Sequence, residues 1–413
     1  MSKRVLGAAL RAFSWLSIDR VCQVATTLFV SGLIARGVGV DAYGHWQLAL
    51  SLLFVLATLS NVASNEVTVP LTISQKENGP QVIAAALRLR YRAVFFNVGI
   101  GVLLAFFWPE GPTLLVLMLL PVLLREPVLA VMMWCMAVGD IKPYFNISIF
   151  TLVIRVVGTL LVYFSGKPLY WYVLPLLIEN VFFIGLLLRQ ATKAGVKFLD
   201  PISPTLTRNM LRLSVWGWLA AVAALASQRA DRLVLSLLVS PQELGLYSAA
   251  AQINDNWYYL GVLLAGGLGP ALIYRVAPER VLRNAVILSI AALCIGLLGS
   301  AVLTLLSTEL SHWVFGEKFS GAAPILSVTT WIVALVPVDM MLALPFLRWG
   351  RMRWIAFKNL GILAVTLIGA FLLHESLGLY SPAVSLLAAY LGSILITSLK
   401  LWQQRKGMRV EDV

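Results

Sequence analysis

Apolar stretches of about 20 residues, separated by short polar breaks, follow one another along the whole chain. A helix that crosses the hydrocarbon core of a bilayer needs about 20 such residues. Only 12% of the 413 residues are charged, whereas about 25% are charged in a typical soluble domain. The sequence therefore predicts a protein whose solvent is lipid.

Twelve transmembrane helices are predicted, which makes the fold an all-α polytopic membrane protein. Their approximate bounds are 12–36, 43–71, 88–108, 113–138, 143–164, 169–189, 210–239, 244–274, 282–307, 322–347, 353–373 and 381–402.

Lysine and arginine are distributed unevenly between the two sides of the membrane. With an even number of spans, both termini lie on one side, and the segments on that side hold most of the 32 Lys and Arg residues. The segments on the other side hold Arg36, Lys167 and Lys318. Cytoplasmic loops are enriched in these residues. We therefore expect a multi-pass protein of the bacterial inner membrane with both termini in the cytoplasm. The net charge of +13 then needs no nucleic-acid partner.

The chain repeats itself weakly at an offset of 201 residues. Trp15 falls on Trp216 and Gly44 on Gly245, both within the first two spans of each half. The predicted halves are 1–200 and 201–413, each with six spans and the same orientation. Two pseudo-symmetric six-helix bundles around a central cavity are typical of transporters that bind substrate between repeats.

Ionisable residues within spans are costly and usually face a cavity or a partner. The densest group lies in the seventh span, where Arg229 and Arg232 are three residues apart and share a helix face, while Asp231 points elsewhere. The arginines could clamp a pyrophosphate, since the guanidinium fork matches phosphate oxygens. Equally, they could form a salt bridge to Asp255 or Glu66. The two interpretations are compatible.

Further polar positions fall in the first, second and eighth spans. Arg20, next to Asp19, could face a cavity or extend to the interface. Glu66 ends the polar run 61–66, for which a cavity lining is favoured over helix–helix hydrogen bonding. The run 252–259 combines amides, a carboxylate and aromatic rings. It suits a sugar site, with Asn254, Asp255 and Trp257 as candidates, or an interfacial aromatic belt.

A second set of charges is interpreted as structural. Arg155 lies alone in the middle of the fifth span, with Glu179 or Glu126 as the expected partner, and a buried network that includes Arg125 is predicted. Because prolines flank Arg125 and Glu126, the fourth span should be kinked there. Asp339 and Lys358 are too isolated to assign. Either could couple transport to a proton or sodium gradient.

No catalytic or metal-binding pattern is visible. The three cysteines form no CxxC pair, the three histidines show no metal spacing, and no Ser–His–Asp set is present. We therefore expect neither an enzyme nor a bound cofactor.

Short motifs resemble those of the polysaccharide transporter family. Residues 231–235 (DRLVL) and 243–250 (ELGLYSAA) resemble its second-half signature, and 35–46 (ARGVGVDAYGHW) resembles a degenerate first-half copy. The acidic end of the second span, at Glu66, is also similar. The family includes the Wzx-type O-antigen flippases and belongs to the multidrug/oligosaccharidyl-lipid/polysaccharide exporter superfamily.

The resemblance implies a V-shaped pair of bundles with a cavity lined mainly by spans one, two, seven and eight. It also implies a polyprenyl-diphosphate-linked oligosaccharide as cargo, moved from the inner to the outer leaflet by alternating access. With twelve spans the chain lacks the two extra helices of lipid II flippases, which favours the O-antigen branch. A monomer is expected, with a polysaccharide polymerase complex as the candidate partner.

Three other functions compete. A multidrug antiporter of the same superfamily would carry an organic cation and need a negatively charged cavity, whereas arginines are prominent here. A polysaccharide-assembly enzyme would need a catalytic constellation, usually in a larger outer loop. A major-facilitator sugar transporter would show a Gly/Asp/Arg motif between spans two and three, and the loop 74–80 does not contain it.

Overall fold

The computed structural model describes residues 3–74, 78–108, 112–196 and 203–410. Within these ranges, the side chains of 3–14, 16, 65, 66, 257, 258, 271 and 405–410 are not described. The described residues form helices and contain no β-strand, as predicted for an all-α protein.

Two compact units divide the chain, Met1–Val222 and Ala223–Val413. The helices that begin in the first unit are α1 (Lys3–Val38), α2 (Val40–Ser60), α3 (Asn65–Ser74), α4 (Gly79–Phe107), α5 (Thr113–Leu119), α6 (Arg125–Val128), α7 (Ala130–Val138), α8 (Lys142–Phe164), α9 (Val173–Lys193) and α10 (Pro204–Leu235). The helices of the second unit are α11 (Pro241–Asn254), α12 (Asn256–Gly269), α13 (Pro278–Leu305), α14 (Ser307–Phe315), α15 (Ala322–Val333), α16 (Leu335–Arg348), α17 (Met352–Leu372), α18 (His374–Leu377) and α19 (Ser381–Val410).

The boundary between the units lies inside α10, whereas the sequence places it near residue 200. The helix is continuous across the boundary. Before the boundary, the Trp218 indole Nε1 donates to the Leu59 carbonyl, at 3.2 Å, within the first unit. After it, Arg229 and Arg232 contact Asp255 within the second unit. One helix thus contributes residues to both units.

Eleven helical segments within the described ranges are long and apolar enough to cross a membrane. The predicted eighth span, 244–274, is not one of them. It is divided into α11 and α12 on either side of Asp255 and ends in a π-helical segment, Pro270–Tyr274. Proline cannot donate the backbone hydrogen bond that would continue an α-helix, and π-helical segments, which are rare, occur mostly as single turns like this one.

The predicted second span, 43–71, is wrong as a single helix. Helix α2 ends at Ser60 and α3 begins at Asn65, with an irregular turn at 61–64 between them. Ala63 in this turn has φ +54°, the left-handed region, which is sparsely populated by residues other than glycine. The sequence predicts that the polar run lines a cavity on a continuous helix, but Asn61 and Ser64 lie where the helix is interrupted.

The predicted third span also needs correction, because α4 begins at Gly79 rather than near residue 88. The predicted bounds put Arg88, Arg90 and Arg92 at the start of the third span, whereas all three lie well inside this helix. Arg90 is 1% exposed. It faces the interior of its unit rather than a headgroup region.

The kink predicted in the fourth span is confirmed. A 3-10 turn, Leu120–Leu124, follows α5, and a further break at Leu129 separates α6 from α7. Pro121 and Pro127 lack the backbone donors that a regular helix would use at these positions.

Close helix packing in the second unit depends on Gly296 of α13. A Cβ atom at this position would lie 3.0 Å from the Ala334 carbonyl oxygen, between α15 and α16. Such contacts are typical of membrane helices, where small residues let backbones approach.

Replacing Gly296 by valine is therefore expected to destabilise the protein by about 1–3 kcal/mol, the usual cost of overpacking. The thermal unfolding midpoint of purified protein measures the effect. Gly361 on α17 is the matched control, because no atom lies within 4 Å of a Cβ placed there. Equal midpoints for Gly296→Val and Gly361→Val would contradict the packing argument.

Candidate functional site

Two arginines of α10 share one carboxylate. Arg229 Nη1 lies 2.8 Å and Arg232 Nη2 3.0 Å from Asp255 Oδ2. Residues three apart project from the same helix face, so both guanidinium groups reach the junction of α11 and α12, where Asp255 lies. The predicted salt bridge to Asp255 is confirmed. The predicted clamp for a pyrophosphate stays a prediction.

The guanidinium group of Arg232 is incompletely satisfied. Its side chain is 0% exposed, and its Nε and Nη1 atoms have no hydrogen-bonding partner among the described residues. Buried polar groups are normally paired, because an unpaired one loses its hydration without replacement. Arg232 therefore retains two donor nitrogens for an acceptor besides Asp255.

The Asp231 carboxylate accepts hydrogen bonds from two other groups. Its Oδ2 accepts from the Tyr247 hydroxyl at 3.0 Å, and its Oδ1 accepts from the Arg232 backbone N–H at 2.7 Å. The carboxylate thereby joins α10 to α11. Tyr247 was not singled out as a site residue, although it lies within the motif 243–250.

A small cavity adjoins these carboxylates inside the second unit, with a volume of about 50 Å³ and a mostly apolar lining. Its polar lining includes Gln228, Asp231, Tyr247, Asn254, Asp255 and Thr329. The Asn254 amide donates to Thr329 Oγ1 at 2.6 Å. One water needs roughly 10–15 Å³ of such space, so the cavity can hold a few waters but not a saccharide.

Two predicted site residues, Glu66 and Trp257, have side chains outside the described residues. Their roles stay predictions.

The first unit contains a similar arrangement. Arg125 Nη1 lies 2.8 Å from Glu179 Oε1, and Arg155 Nε lies 3.8 Å from Glu179 Oε2. The Arg125 guanidinium also stacks over the Phe183 ring, 4.0 Å from its centroid. The predicted network is confirmed, with Glu179 rather than Glu126 as the partner of Arg155. The carbonyl of Glu126 accepts from Arg90 instead, at 3.4 Å.

Asp19 and Arg20 are linked through a glutamine that the sequence did not single out. Arg20 Nη1 donates to Gln23 Oε1 at 3.0 Å, and Gln23 Nε2 donates to Asp19 Oδ2 at 2.8 Å. Asp19 is buried and Arg20 is partly exposed. Gln23 lies four residues after Asp19 and three residues after Arg20, so helical spacing alone predicts both contacts.

Asp339 and Lys358 are not isolated, contrary to the interpretation of the sequence. They form an ion pair between α16 and α17, with both side chains 5% exposed. Ser393 of α19 donates to Asp339 Oδ1 at 2.5 Å. Three helices thus converge on one buried carboxylate.

Among the described residues, no group of three His, Cys, Asp or Glu side chains could hold a metal ion.

Comparison with solved structures identifies the fold of this chain. No protein-family model and no curated protein matches the sequence. The structure is similar to an inward-facing multidrug resistance MATE family transporter of the MOP superfamily, with a TM-score of 0.74 and 14% identity over 96% of this chain and 99% of that one. It is also similar to the lipid II flippase MurJ in an inward closed conformation, with a TM-score of 0.73 and 14% identity over 93% and 87% of the two chains. This chain has the MOP transporter fold.

A third similar structure is a MOP superfamily transporter from Pyrococcus furiosus, with a TM-score of 0.65 and 13% identity over 97% of this chain and 96% of that one. The reverse polarity of that protein's binding pocket suggests a different function for it. The MOP transporter fold therefore accommodates proteins described as multidrug transporters and one described as a lipid flippase. The spans and this fold make the chain a multi-pass membrane protein.

Proposed function

We propose that this protein is a flippase that moves a polyprenyl-diphosphate-linked oligosaccharide, of the O-antigen or a related polysaccharide type, to the outer leaflet of the inner membrane. One observation carries the proposal. Arg229 and Arg232 share Asp255, and Arg232 keeps two buried donor nitrogens without a partner among the described residues. A diphosphate supplies the acceptor oxygens that such a guanidinium group lacks.

The same charge ratio in the first unit supports an anionic cargo. Arg125 and Arg155 share Glu179 as Arg229 and Arg232 share Asp255. Each trio alone carries one positive charge in excess, which Asp231 offsets in the second unit, where it lines the same cavity as Asp255. Positive charge inside a span is costly unless an anion approaches it, and a hydrophobic cation would be repelled. This argues against the multidrug antiporter, the principal alternative.

The proposed mechanism is alternating access. The cavity of about 50 Å³ has no room for cargo, so we propose that cargo entry accompanies a rearrangement in which phosphate oxygens replace Asp255 at the arginines. The saccharide would occupy the aqueous pathway while the lipid tail stays in the bilayer. A ligand that binds one of two states more tightly shifts the population toward it.

A proton or sodium gradient is the proposed energy source, with Asp231, Asp255 and Asp339 as the candidate coupling carboxylates. We further propose that both termini lie in the cytoplasm. A monomer that can associate with a polysaccharide polymerase complex is the proposed assembly.

Ligand binding to purified protein tests the function. A polyprenyl-diphosphate sugar is expected to bind wild-type protein, and the same lipid without the diphosphate is expected to bind at least about tenfold more weakly, since charge-assisted bonds to the phosphates are lost. Arg232→Gln should abolish the difference between the two lipids. Arg208→Gln should preserve it, because Arg208 lies exposed on the same helix.

Binding of a lipophilic cation in place of both lipids would contradict the proposal. It would support the multidrug antiporter and make the arginines structural ion-pair partners.

A further inference from the structure

The turn between α2 and α3 combines an interrupted helix with a strained backbone. Among the described residues, Ala63 is the only non-glycine residue with positive φ. The carbonyl groups of Val62 and Ala63 do not continue the hydrogen-bond ladder of α2, which ends at Ser60. Carbonyls orphaned in this way must find other donors, because no water is present in a hydrocarbon environment.

Arg90 of α4 donates to both carbonyls, and the Thr68 hydroxyl of α3 is a second donor to the Ala63 carbonyl, at 3.1 Å. Arg90 Nε donates to the Val62 carbonyl at 3.0 Å, its Nη2 to the Ala63 carbonyl at 3.1 Å and its Nη1 to the Glu126 carbonyl at 3.4 Å. Each of the three guanidinium nitrogens is used, and the residue is 1% exposed. The planar fork of arginine suits this pattern, which a lysine ammonium group cannot reproduce.

The third of these bonds connects two breaks in the first unit. Glu126 lies in α6, next to the break at Leu129 in the kinked fourth span. One buried guanidinium group therefore holds the interruption of the second span against the interruption of the fourth.

The turn also contains polar atoms that this conformation leaves unsatisfied. Asn61 Oδ1 and Ser64 Oγ are buried and have no hydrogen-bonding partner among the described residues. Buried unpaired polar atoms and a left-handed alanine each raise the free energy of the conformation that contains them. Both costs would be relieved in a conformation where the turn opens or straightens.

We propose that the turn 61–64 is a joint in the second span and that the hydrogen bonds of Arg90 hold it closed. When these hydrogen bonds break, α3 moves relative to α2. Arg90 is a positioning residue in this proposal, since it acts through the backbone of the turn. The role deepens the proposed transport function, because it identifies where the second span changes shape between the two states.

Thiol labelling of a cysteine placed in the joint tests this directly. The protein, with Cys22, Cys135 and Cys294 replaced by alanine, carries Ser64→Cys and is reconstituted into lipid vesicles without cargo. In a protein with Arg90 intact, the buried position should react slowly with a membrane-permeant maleimide. Adding Arg90→Lys should raise the labelling rate roughly tenfold or more, since a buried thiol reacts in proportion to the open population and charge-assisted bonds are lost.

Two controls separate a joint from general loosening. Asn97, also on α4 and buried, donates to the Leu56 carbonyl at 3.2 Å and to Ser60 Oγ at 2.8 Å, both within helix α2 and outside the turn 61–64. Asn97→Ala should lower the thermal midpoint without changing the labelling rate at position 64. Arg92→Lys, at an exposed position two residues from Arg90, should change neither quantity.

A second variant covers the case in which Arg90→Lys does not fold. Ala63→Gly keeps every carbonyl in place and removes the strain of a left-handed alanine from the closed turn, so labelling at position 64 should become slower while Arg90 remains. An unchanged rate in the folded variants would overturn the proposal. Equal acceleration by Asn97→Ala would overturn it too. Because no cargo is present, this result is independent of the lipid-binding test. If the proposed cargo did not bind, the proposal of a joint at 61–64 would be unaffected.

Discussion

Replacing Arg232 by glutamine is expected to lower the initial rate of cargo flipping by roughly two to three orders of magnitude, with the folded protein still present in the membrane. Removing one member of a buried, hydrogen-bonded charge pair costs about 2–5 kcal/mol of binding free energy. Arg232 is fully buried and bonds Asp255 Oδ2 at 3.0 Å. In the proposed mechanism its two remaining nitrogens meet the diphosphate. Flipping in vesicles and polymer export in cells measure the effect, each normalised to folded protein.

A variant of the shared carboxylate distinguishes a cargo site from a structural ion pair. Asp255→Asn removes the negative charge that competes with phosphate for Arg229 and Arg232, so diphosphate binding should be kept or strengthened. A purely structural pair would make Asp255→Asn at least as harmful to the fold as Arg232→Gln. Wild-type flipping by Arg232→Gln, or loss of activity that only follows loss of folded protein, would contradict the prediction. Arg208→Gln, on the same helix, is the matched control.

Replacing Lys358 by methionine is expected to destabilise the protein by about 3–5 kcal/mol, because it leaves the Asp339 carboxylate buried without its cation. Both side chains are 5% exposed, so solvent cannot compensate. Ser393 would still donate to Asp339 Oδ1, but a neutral hydroxyl does not balance the charge. The midpoint of thermal unfolding in lipid or detergent measures the loss.

The double variant Asp339→Leu with Lys358→Met should recover most of that stability. Replacing a complete buried ion pair by apolar residues is often neutral or stabilising, so the two substitutions should be strongly non-additive. Additive losses would show that the pair does not act as a unit. Transport by the double variant then separates two roles: restored flipping means that the pair is structural, and a folded but inactive double variant means that Asp339 takes part in ion coupling.

Helical periodicity in the sequence predicts part of the candidate site. Spacing alone places Arg229 and Arg232 on one face and turns Asp231 away from it, since the helix has 3.6 residues per turn. It cannot choose between Asp255 and Glu66 as the partner, because that depends on which helices are neighbours. Asp339 and Lys358 show the same limit. Each is visible as a charge within a span, but their contact depends on the rotation of α16 and α17 about their axes.

Hydropathy does not predict the breaks in the second and eighth spans. The run at 61–64 and the segment near Asp255 are polar, yet both lie in stretches apolar enough on average to suggest continuous spans. The sequence places Arg90 at the start of the third span, and a sequence window does not show that three backbone carbonyls converge on its guanidinium group.

The sequence by itself determined that the chain is a helical membrane protein of about twelve spans, because a lipid solvent demands long apolar segments whose backbone groups are satisfied within each helix. It also determined that Arg229, Arg232, Asp339 and Lys358 lie within spans, because charges in a long apolar stretch are visible in any hydropathy profile. Only the tertiary structure decided which charges meet, where the helices break and which side chain holds each break. Those outcomes depend on contacts between residues far apart in the chain, and local periodicity carries no information about them.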